Sequence, residues 1–227
     1  MPAFSETAYS LTRDRVETYF DRTATQTWER LTSHEKVSRI RETVRQGRDR
    51  MRALMLSRLP QDLRGARVLD AGCGTGAMAT ELAQRGAKVI AVDISPQLIE
   101  IAKRRLHPAL ADQVDFQSGD MSNPALGRFD FTLAMDSLIY YRDTDIGRVI
   151  GNLASRTSQS IIFTVAPRTP FLMAFFTLGK LFPRSDRSPT MIPHDAARLA
   201  KHCPGTLTRV GRITSGFYIS EALEHRP

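Results

Sequence analysis

The chain has 227 residues, of which 41% are hydrophobic and 25% charged, as expected for a soluble α/β domain with a modest accessory element. Its two cysteines exclude a disulfide framework, and no apolar run reaches the length of about 18 residues that would span a bilayer. Because no secretory signal precedes it, we predict a cytoplasmic protein. The net charge of +8 indicates an anionic partner: nucleic acid, a membrane surface or a charged small molecule.

Residues 1–60 are predicted to be helical and to form an N-terminal arm or lid in front of the main domain, residues 61–227. Thr32 and Glu35 have the spacing of a capping box, and apolar residues then recur along one helical face as far as Met55. The opposite face carries Arg39, Arg41, Arg45, Arg48, Arg50 and Arg52. This face is either a solvated surface or an electropositive surface for an anionic substrate or partner.

A glycine-rich turn follows the first predicted strand, in the run Asp70-Ala71-Gly72-Cys73-Gly74-Thr75-Gly76. A helix begins directly after it, so the backbone N–H groups of the turn can face a ligand at close range. The glycines also satisfy a loose dinucleotide fingerprint, which leaves nicotinamide and flavin cofactors open. Asp70 favours a cationic ligand over a pyrophosphate. In this form the motif resembles that of class I S-adenosylmethionine-dependent methyltransferases.

Each of the next three predicted strands also leads into an acid. Residues 88–92 end at Asp93, about 20 residues after the glycines, where a carboxylate accepts both ribose hydroxyls. Residues 114–117 precede Asp120, and residues 129–135 precede Asp136. Because ligands of open α/β sheets lie beyond the carboxyl ends of the strands, we expect these acids and Asp70 to converge on one crevice.

An apolar segment follows the fifth predicted strand, with nine apolar residues among the twelve of residues 171–182. It is too short to cross a membrane, which leaves a core helix, an interfacial helix or the wall of an apolar pocket. Basic residues flank the segment, and they would suit a large flat ligand that carries carboxylates. The last two strands, residues 207–213 and 217–222, are expected at an antiparallel edge. The histidines show no metal-ligand spacing.

Four further segments are distinctive: Tyr19-Phe20 with Trp28, residues 136–141, residues 169–183 and Gly216-Phe217-Tyr218. Together they resemble the corresponding segments of magnesium-protoporphyrin IX O-methyltransferases of (bacterio)chlorophyll biosynthesis. The resemblance covers nearly the whole chain. It implies an α/β fold with a seven-stranded Rossmann-like sheet, helices on both faces, a helical N-terminal arm and a helical, substrate-facing insertion after strand five, within residues 165–204.

The same resemblance implies transfer of a methyl group from S-adenosylmethionine to a propionate carboxylate of magnesium-protoporphyrin IX, giving the monomethyl ester. It implies that Tyr19 and Tyr140 lie near the reacting carboxylate. Plant and cyanobacterial members have His where this chain has Tyr140, so a role as base is in doubt there. The cofactor residues are expected to be Asp70, Gly72, Cys73, Gly74, Gly76, Asp93, Ile94, Asp120, Met121 and Asp136. The substrate residues are expected to be Tyr141, Arg168, Phe175 and Arg184.

The implied partners are magnesium-protoporphyrin IX, the large subunit of magnesium chelatase and a peripheral membrane surface. No protein-bound metal is expected, since magnesium enters only with the substrate. Nucleic acid is not expected, because no base-stacking motif follows strand four. Three alternatives stay open: another anionic small molecule as methyl acceptor, RNA as acceptor, and a non-catalytic binding module. The acids at the strand ends argue against the last of these.

Overall fold

The computed structural model describes residues 3–24, 29, 32, 38–179 and 189–226. Its strands are β1 (Arg67–Ala71), β2 (Lys88–Asp93), β3 (Val114–Ser118), β4 (Phe129–Ala134), β5 (Thr157–Pro167), β6 (Pro193–His194), β7 (Thr206–Ser215) and β8 (Tyr218–Arg226). Seven of them form a continuous sheet in the order β3-β2-β1-β4-β5-β8-β7, and the two-residue β6 pairs with the end of β5. The predicted seven-stranded Rossmann-like sheet is confirmed.

The direction of the strands divides the sheet into two parts. Strands β1 to β5 pair in parallel, whereas β8 is antiparallel to both β5 and β7. The two chain-terminal strands therefore form a hairpin at one side of the sheet, as predicted. All carboxyl ends of the parallel strands lie along one edge, which is where such sheets bind ligands.

Helices cover both faces of the sheet. They are α1 (Ala3–Thr18), α2 (Arg39–Leu56), α3 (Ala77–Gln84), α4 (Pro96–Arg105), α5 (Asp143–Ala154), α6 (Pro170–Gly179) and α7 (Ala196–Ala200), and a π-helical turn (Tyr19–Ala24) continues α1. Local sequence explains two of the helix starts. Ser95 caps α4 through a bond from the Leu98 N–H, with Pro96 at the first helical position, and Ser38 caps α2. Glu35, the second residue of the predicted capping box, lies outside the described residues.

Neighbouring strand residues point to opposite faces of the sheet and enter two different cores. Val68 belongs to a core cluster that includes residues of α2, α3 and α4, whereas Leu69 belongs to a second cluster that includes residues of α5. This alternation follows from the two-residue period of a β-strand. Because both faces of β1 are covered by apolar helix surfaces, the strand that leads into the glycine turn is held rigidly at the centre of the sheet.

Helix α2 belongs to the core rather than lying loosely in front of it. Met51, Met55 and Leu56 are fully buried. Gly47 allows the helix to approach the sheet, because a Cβ there would lie 2.6 Å from the ring of Tyr218. The predicted division of the chain at residue 60 stays a prediction, but the C-terminal half of α2 packs as part of the main domain.

The apolar segment after β5 forms the ten-residue helix α6. Phe171 at its start is 51% exposed, whereas the next residue, Leu172, is buried. Among the residues described, no helix is both long enough and apolar enough to cross a bilayer.

The packing of α2 predicts a large stability effect for Met55→Ala. Removing a fully buried methionine side chain should lower the free energy of unfolding by about 2–5 kcal/mol, because apolar burial is lost and a cavity remains. Ile40→Ala, on the same helix at a residue that is 57% exposed, should change it by less than about 0.5 kcal/mol. Urea denaturation measures both, and equal effects would contradict the placement of α2 in the core.

Candidate active site

A cavity of about 330 Å³ lies beyond the carboxyl ends of β1, β2, β3 and β4. The four acids expected there line it together: Asp70, Asp93, Asp120 and Asp136. The other predicted cofactor residues that line it are Gly72, Cys73, Gly74, Ile94 and Met121, whereas Gly76 does not. The topology therefore brings the strand-end acids into a single crevice, although the first and the last are 66 positions apart in the sequence.

The glycine turn needs its first glycine for two reasons. Gly72 has φ +85°, and a Cβ on it would lie 2.3 Å from the Cβ of Ser137. The close approach is fixed by hydrogen bonds, since the Gly72 N–H donates to the Val92 carbonyl at 2.8 Å and the Ser137 hydroxyl to the Ala71 carbonyl at 2.9 Å. Gly76 serves packing instead, because a Cβ there would press on Phe116.

Asp93 ties the end of β2 to the glycine turn. Its carboxylate accepts a hydrogen bond from the Gly74 N–H at 2.8 Å and another from the Ser95 N–H at 2.9 Å. Burial raises the pKa of this carboxyl, and the backbone donors oppose that shift. Each carboxylate oxygen accepts one of these bonds, which leaves lone pairs for a ligand in the cavity.

Asp70 has a buried oxygen without a hydrogen-bond partner among the described residues, Oδ2. Burial, followed by the charge of Asp93, raises the pKa of Asp70 from 3.8 to about 7. A buried carboxylate oxygen with no donor is costly. A cationic or N–H-bearing ligand in the cavity would supply that donor, so the residues present fit the ammonium end of S-adenosylmethionine.

Asp120 is held by the N-terminal helix. The Tyr9 hydroxyl donates to its carboxylate at 3.0 Å, and the Arg13 guanidinium lies 3.5 Å from it. The Tyr9 ring also stacks on Tyr141, with 5.1 Å between ring centroids. Helix α1 therefore lies over the cavity. Sequence reasoning missed Tyr9 and Arg13; their four-residue spacing puts them on one helix face, but nothing local indicates what that face contacts.

Asp136 connects the turn after β4 to three other elements. Its carboxylate accepts hydrogen bonds from Arg48 of α2 at 2.7 Å and from Tyr218 of β8 at 3.1 Å. Ser220 and Thr164 donate to the same carboxylate. Asp136 also has φ +55°, which is unusual for a residue with a side chain. Asp136 lines the cavity, and its carboxylate is already bonded to several side chains. Its cofactor role stays a prediction.

The two tyrosines predicted near the reacting carboxylate occupy different positions. Tyr140 lines the cavity, but Tyr19 does not. Phe20 lies between them, with its ring centroid 5.2 Å from that of Tyr19 and 6.2 Å from that of Tyr140. Burial and then the Asp136 carboxylate raise the pKa of Tyr140 well above its usual range. Tyr140 is therefore a neutral phenol at pH 7, able to donate a hydrogen bond.

The arginines of the cavity come from helices that precede the glycine turn. Among the described residues they are Arg13, Arg45, Arg48 and Arg52. Arg168, expected to bind substrate, is exposed and does not line the cavity. Arg184 and Trp28 lie outside the described residues, as does the side chain of Phe175. Tyr141, the remaining residue expected at the substrate, does line the cavity.

Family models and relatives of known name match most of the chain. A model of the magnesium-protoporphyrin IX methyltransferase C-terminus matches residues 134–227, and a methyltransferase-domain model matches residues 68–159. The magnesium-protoporphyrin O-methyltransferase of Rhodobacter capsulatus is 64% identical over 96% of this chain and 98% of its own length. Its namesake from Synechocystis is 30% identical over 92% of this chain and 94% of its own length.

A crystal structure is also similar over almost the entire chain. It is that of magnesium protoporphyrin IX methyltransferase from Synechocystis with bound SAH (S-adenosylhomocysteine). The TM-score is 0.79 at 29% sequence identity, covering 96% of this chain and 100% of that one.

The sheet order, the glycine turn and the methyltransferase-domain match define a class I S-adenosylmethionine-dependent methyltransferase. The high identity to the Rhodobacter enzyme extends over both the cofactor half and the C-terminal half. The chain belongs to the magnesium-protoporphyrin O-methyltransferase family. S-adenosylmethionine as co-substrate, predicted from Asp70 and the glycines, is confirmed, whereas the roles of individual site residues stay predictions.

The raised pKa of Asp70 predicts a pH-dependent stability difference for Asp70→Asn. In the folded state this carboxyl has a pKa of about 7 against 3.8 for the free group, so the folded chain binds the proton more tightly. The contribution of this bound proton to the free energy of unfolding of the wild type is therefore lost as pH rises from about 4 to about 7. The variant lacks that loss, and its stability relative to wild type should increase across this window and then level off.

Urea denaturation at pH 5, 6, 7 and 8 measures the difference. The exposed Asp62 provides a matched control, since Asp62→Asn should shift stability by the same amount at all four pH values. A pH-independent difference for Asp70→Asn would rule out a raised pKa at this carboxyl.

Proposed function

We propose that this chain transfers a methyl group from S-adenosylmethionine to a propionate carboxylate of magnesium-protoporphyrin IX, forming the monomethyl ester. One observation carries the proposal: 64% identity to the Rhodobacter capsulatus enzyme over 96% of the chain. The cavity supports it, because acids suited to a cationic donor and arginines suited to an anionic acceptor line the same space. No described feature favours RNA or a non-catalytic role over this reaction.

Each acid of the cavity is proposed to bind a different part of the methyl donor. Asp70 offers its partnerless oxygen to the ammonium group, and Asp93 at the end of β2 offers its carboxylate to the ribose hydroxyls. Ile94 and Met121 would contact the adenine ring, and Asp120 would accept a hydrogen bond from its exocyclic amine. The glycine turn, including Cys73, contributes its backbone surface. When bound, the donor supplies a methyl group on a positively charged sulfur.

The acceptor needs alignment more than activation. A propionate carboxylate is ionised at pH 7, so no residue must remove a proton from it. Tyr140 donates a hydrogen bond from its neutral phenol and orients the carboxylate, and Tyr19 supports it from behind Phe20. Helix α1, the turn after it and Tyr141 exclude water, which strengthens the attraction between carboxylate and sulfonium. Catalysis in this proposal is therefore positioning and desolvation.

The remaining substrate contacts are proposed at the edge of the cavity. The arm of residues 1–60 would act as a lid, and the insertion of residues 165–204, with Arg168, Phe175 and Arg184, would contact the ring system. Magnesium would enter only within the substrate.

Peripheral membrane contact and docking to the large chelatase subunit are also proposed. Support comes from Ile40 and Phe217, which are 57% and 59% exposed. Thr43 contacts the β7–β8 hairpin beside Phe217, so Phe217 lies close to the first turns of α2, which carry Arg39 and Arg41. An apolar and basic surface of this kind suits an anionic partner.

A methyl-transfer assay with radiolabelled S-adenosylmethionine tests the main reaction. Label should appear in magnesium-protoporphyrin IX as an ester that mild alkali removes. Metal-free protoporphyrin should be a poorer acceptor, and bulk RNA should not be labelled. Labelling of RNA alone would replace the proposed reaction with nucleic-acid methylation.

Asp93→Asn should weaken binding of S-adenosylhomocysteine by at least about tenfold, because the ribose hydroxyls lose a charged acceptor. Isothermal titration calorimetry measures the dissociation constant, and the amide oxygen still accepts one backbone bond, so the glycine turn should persist. Asp115→Asn, at an exposed residue of the neighbouring strand β3, is the control and should bind as wild type. An unchanged constant for Asp93→Asn would remove Asp93 from the cofactor site.

A further inference from the structure

Helix α2 presents one charged face to the cavity. Arg45, Arg48, Asp49 and Arg52 all line it, at the spacing that puts residues on one side of a helix. The exposed Arg39, Arg41 and Arg50 do not. The arginine-rich surface of the sequence is therefore two surfaces, and only one of them can contact a ligand in the cavity.

Two of these arginines are tied to acids of the protein. Arg48 pairs with the buried Asp136 at 2.7 Å, and their side chains are 19% and 8% exposed. Arg52 pairs with Glu81 and with Asp49, and its charge acts on Asp70. Arg48 thus anchors the turn that carries Tyr140, and Arg52 belongs to the donor end of the cavity.

Arg45 has a different environment. It lies one helical turn before Arg48, and its guanidinium is 3.3 Å from the Glu42 carboxylate, whose side chain is 43% exposed. A pair with so exposed a partner contributes little to stability. The Arg45 side chain itself is only 17% exposed, which strengthens a charge-assisted bond to a ligand.

The position of Arg45 along α2 separates it from the donor. Arg45 and Arg52 are seven positions apart, a rise of about 10.5 Å along the helix, and Arg52 is the arginine whose charge acts on Asp70. Arg45 is instead adjacent to the anchor of the Tyr140 turn. A substrate whose reacting carboxylate lies at Tyr140 can therefore place a second carboxylate, carried on a neighbouring arm of the same rigid ring, at Arg45.

We propose that Arg45 binds the second, non-reacting carboxylate of a dicarboxylate substrate and thereby selects which carboxylate faces the methyl donor. This inference rests on the proposed function, since it takes the substrate to be a porphyrin with two propionates. Arg45 is a substrate-binding residue in this assignment and takes no part in the chemistry.

Equilibrium binding to the S-adenosylhomocysteine complex tests the assignment without requiring turnover. The probes are magnesium-protoporphyrin IX and its two monoamides, in each of which one propionate is a neutral amide, followed by Soret absorbance. Arg45→Ala should weaken binding of the dicarboxylate about tenfold, the effect of losing one charge-assisted contact. The substitution should not change the affinity for one of the two monoamides, namely the one in which the amide replaces the carboxylate that contacts Arg45.

Methyl transfer then identifies which carboxylate Arg45 holds. The wild type should still methylate the monoamide that is insensitive to Arg45→Ala, because its reacting propionate is intact. Arg50→Ala, on the same helix but outside the cavity, should bind all three porphyrins as wild type does, and thermal melting should show all variants folded.

Three results would overturn the inference: equal losses for all three porphyrins, weaker binding of S-adenosylhomocysteine by Arg45→Ala, or no methylation of the insensitive monoamide while the dicarboxylate is methylated. Absence of methylation of every porphyrin by the wild type would refute the proposed function instead, and the binding comparison would still decide the role of Arg45.

Discussion

The carboxylate of Asp136 joins the parts of the molecule that surround the cavity. It receives hydrogen bonds from α2, from β5 and from β8, and it begins the turn on which Tyr140 lies. A buried carboxylate is costly unless charged and polar donors surround it. The left-handed backbone at this residue adds to that cost. Together these donors fix the distance between helix α2 and the end of β4, and so the width of the cavity.

A second set of hydrogen bonds holds the glycine turn in place. Asp93 holds the Gly74 and Ser95 N–H groups, and Ser137 packs where a side chain on Gly72 would be. The glycine turn is thus fixed by its neighbours rather than flexible in itself. The two halves meet at Ser137, which directly follows Asp136. The glycine turn and helix α2 are consequently tied to adjacent residues of one short turn.

Local patterns predicted the sheet and the strand-end acids because these depend on strand period and on the parallel topology. They also placed Asp70, Asp93, Asp120 and Asp136 together. They did not find Tyr9, which meets Asp120 across 111 residues of sequence, since the docking of a helix depends on surfaces distant in the chain. For the same reason the arginines of α2 were predicted as one face, whereas packing against β8 divides them. The role of Arg168 at the substrate stays a prediction, since it does not line the cavity.

The hydrogen bond between Tyr9 and Asp120 has a consequence for ligand exchange. If the adenine amine of the donor competes for the carboxylate that holds α1, the attachment of that helix and the affinity for the donor are thermodynamically linked. Linkage is reciprocal: a partner that lifts the helix changes donor affinity by the same factor by which the donor changes the affinity for that partner. Exchange of spent for fresh donor would then respond to events at the amino-terminal end of the chain.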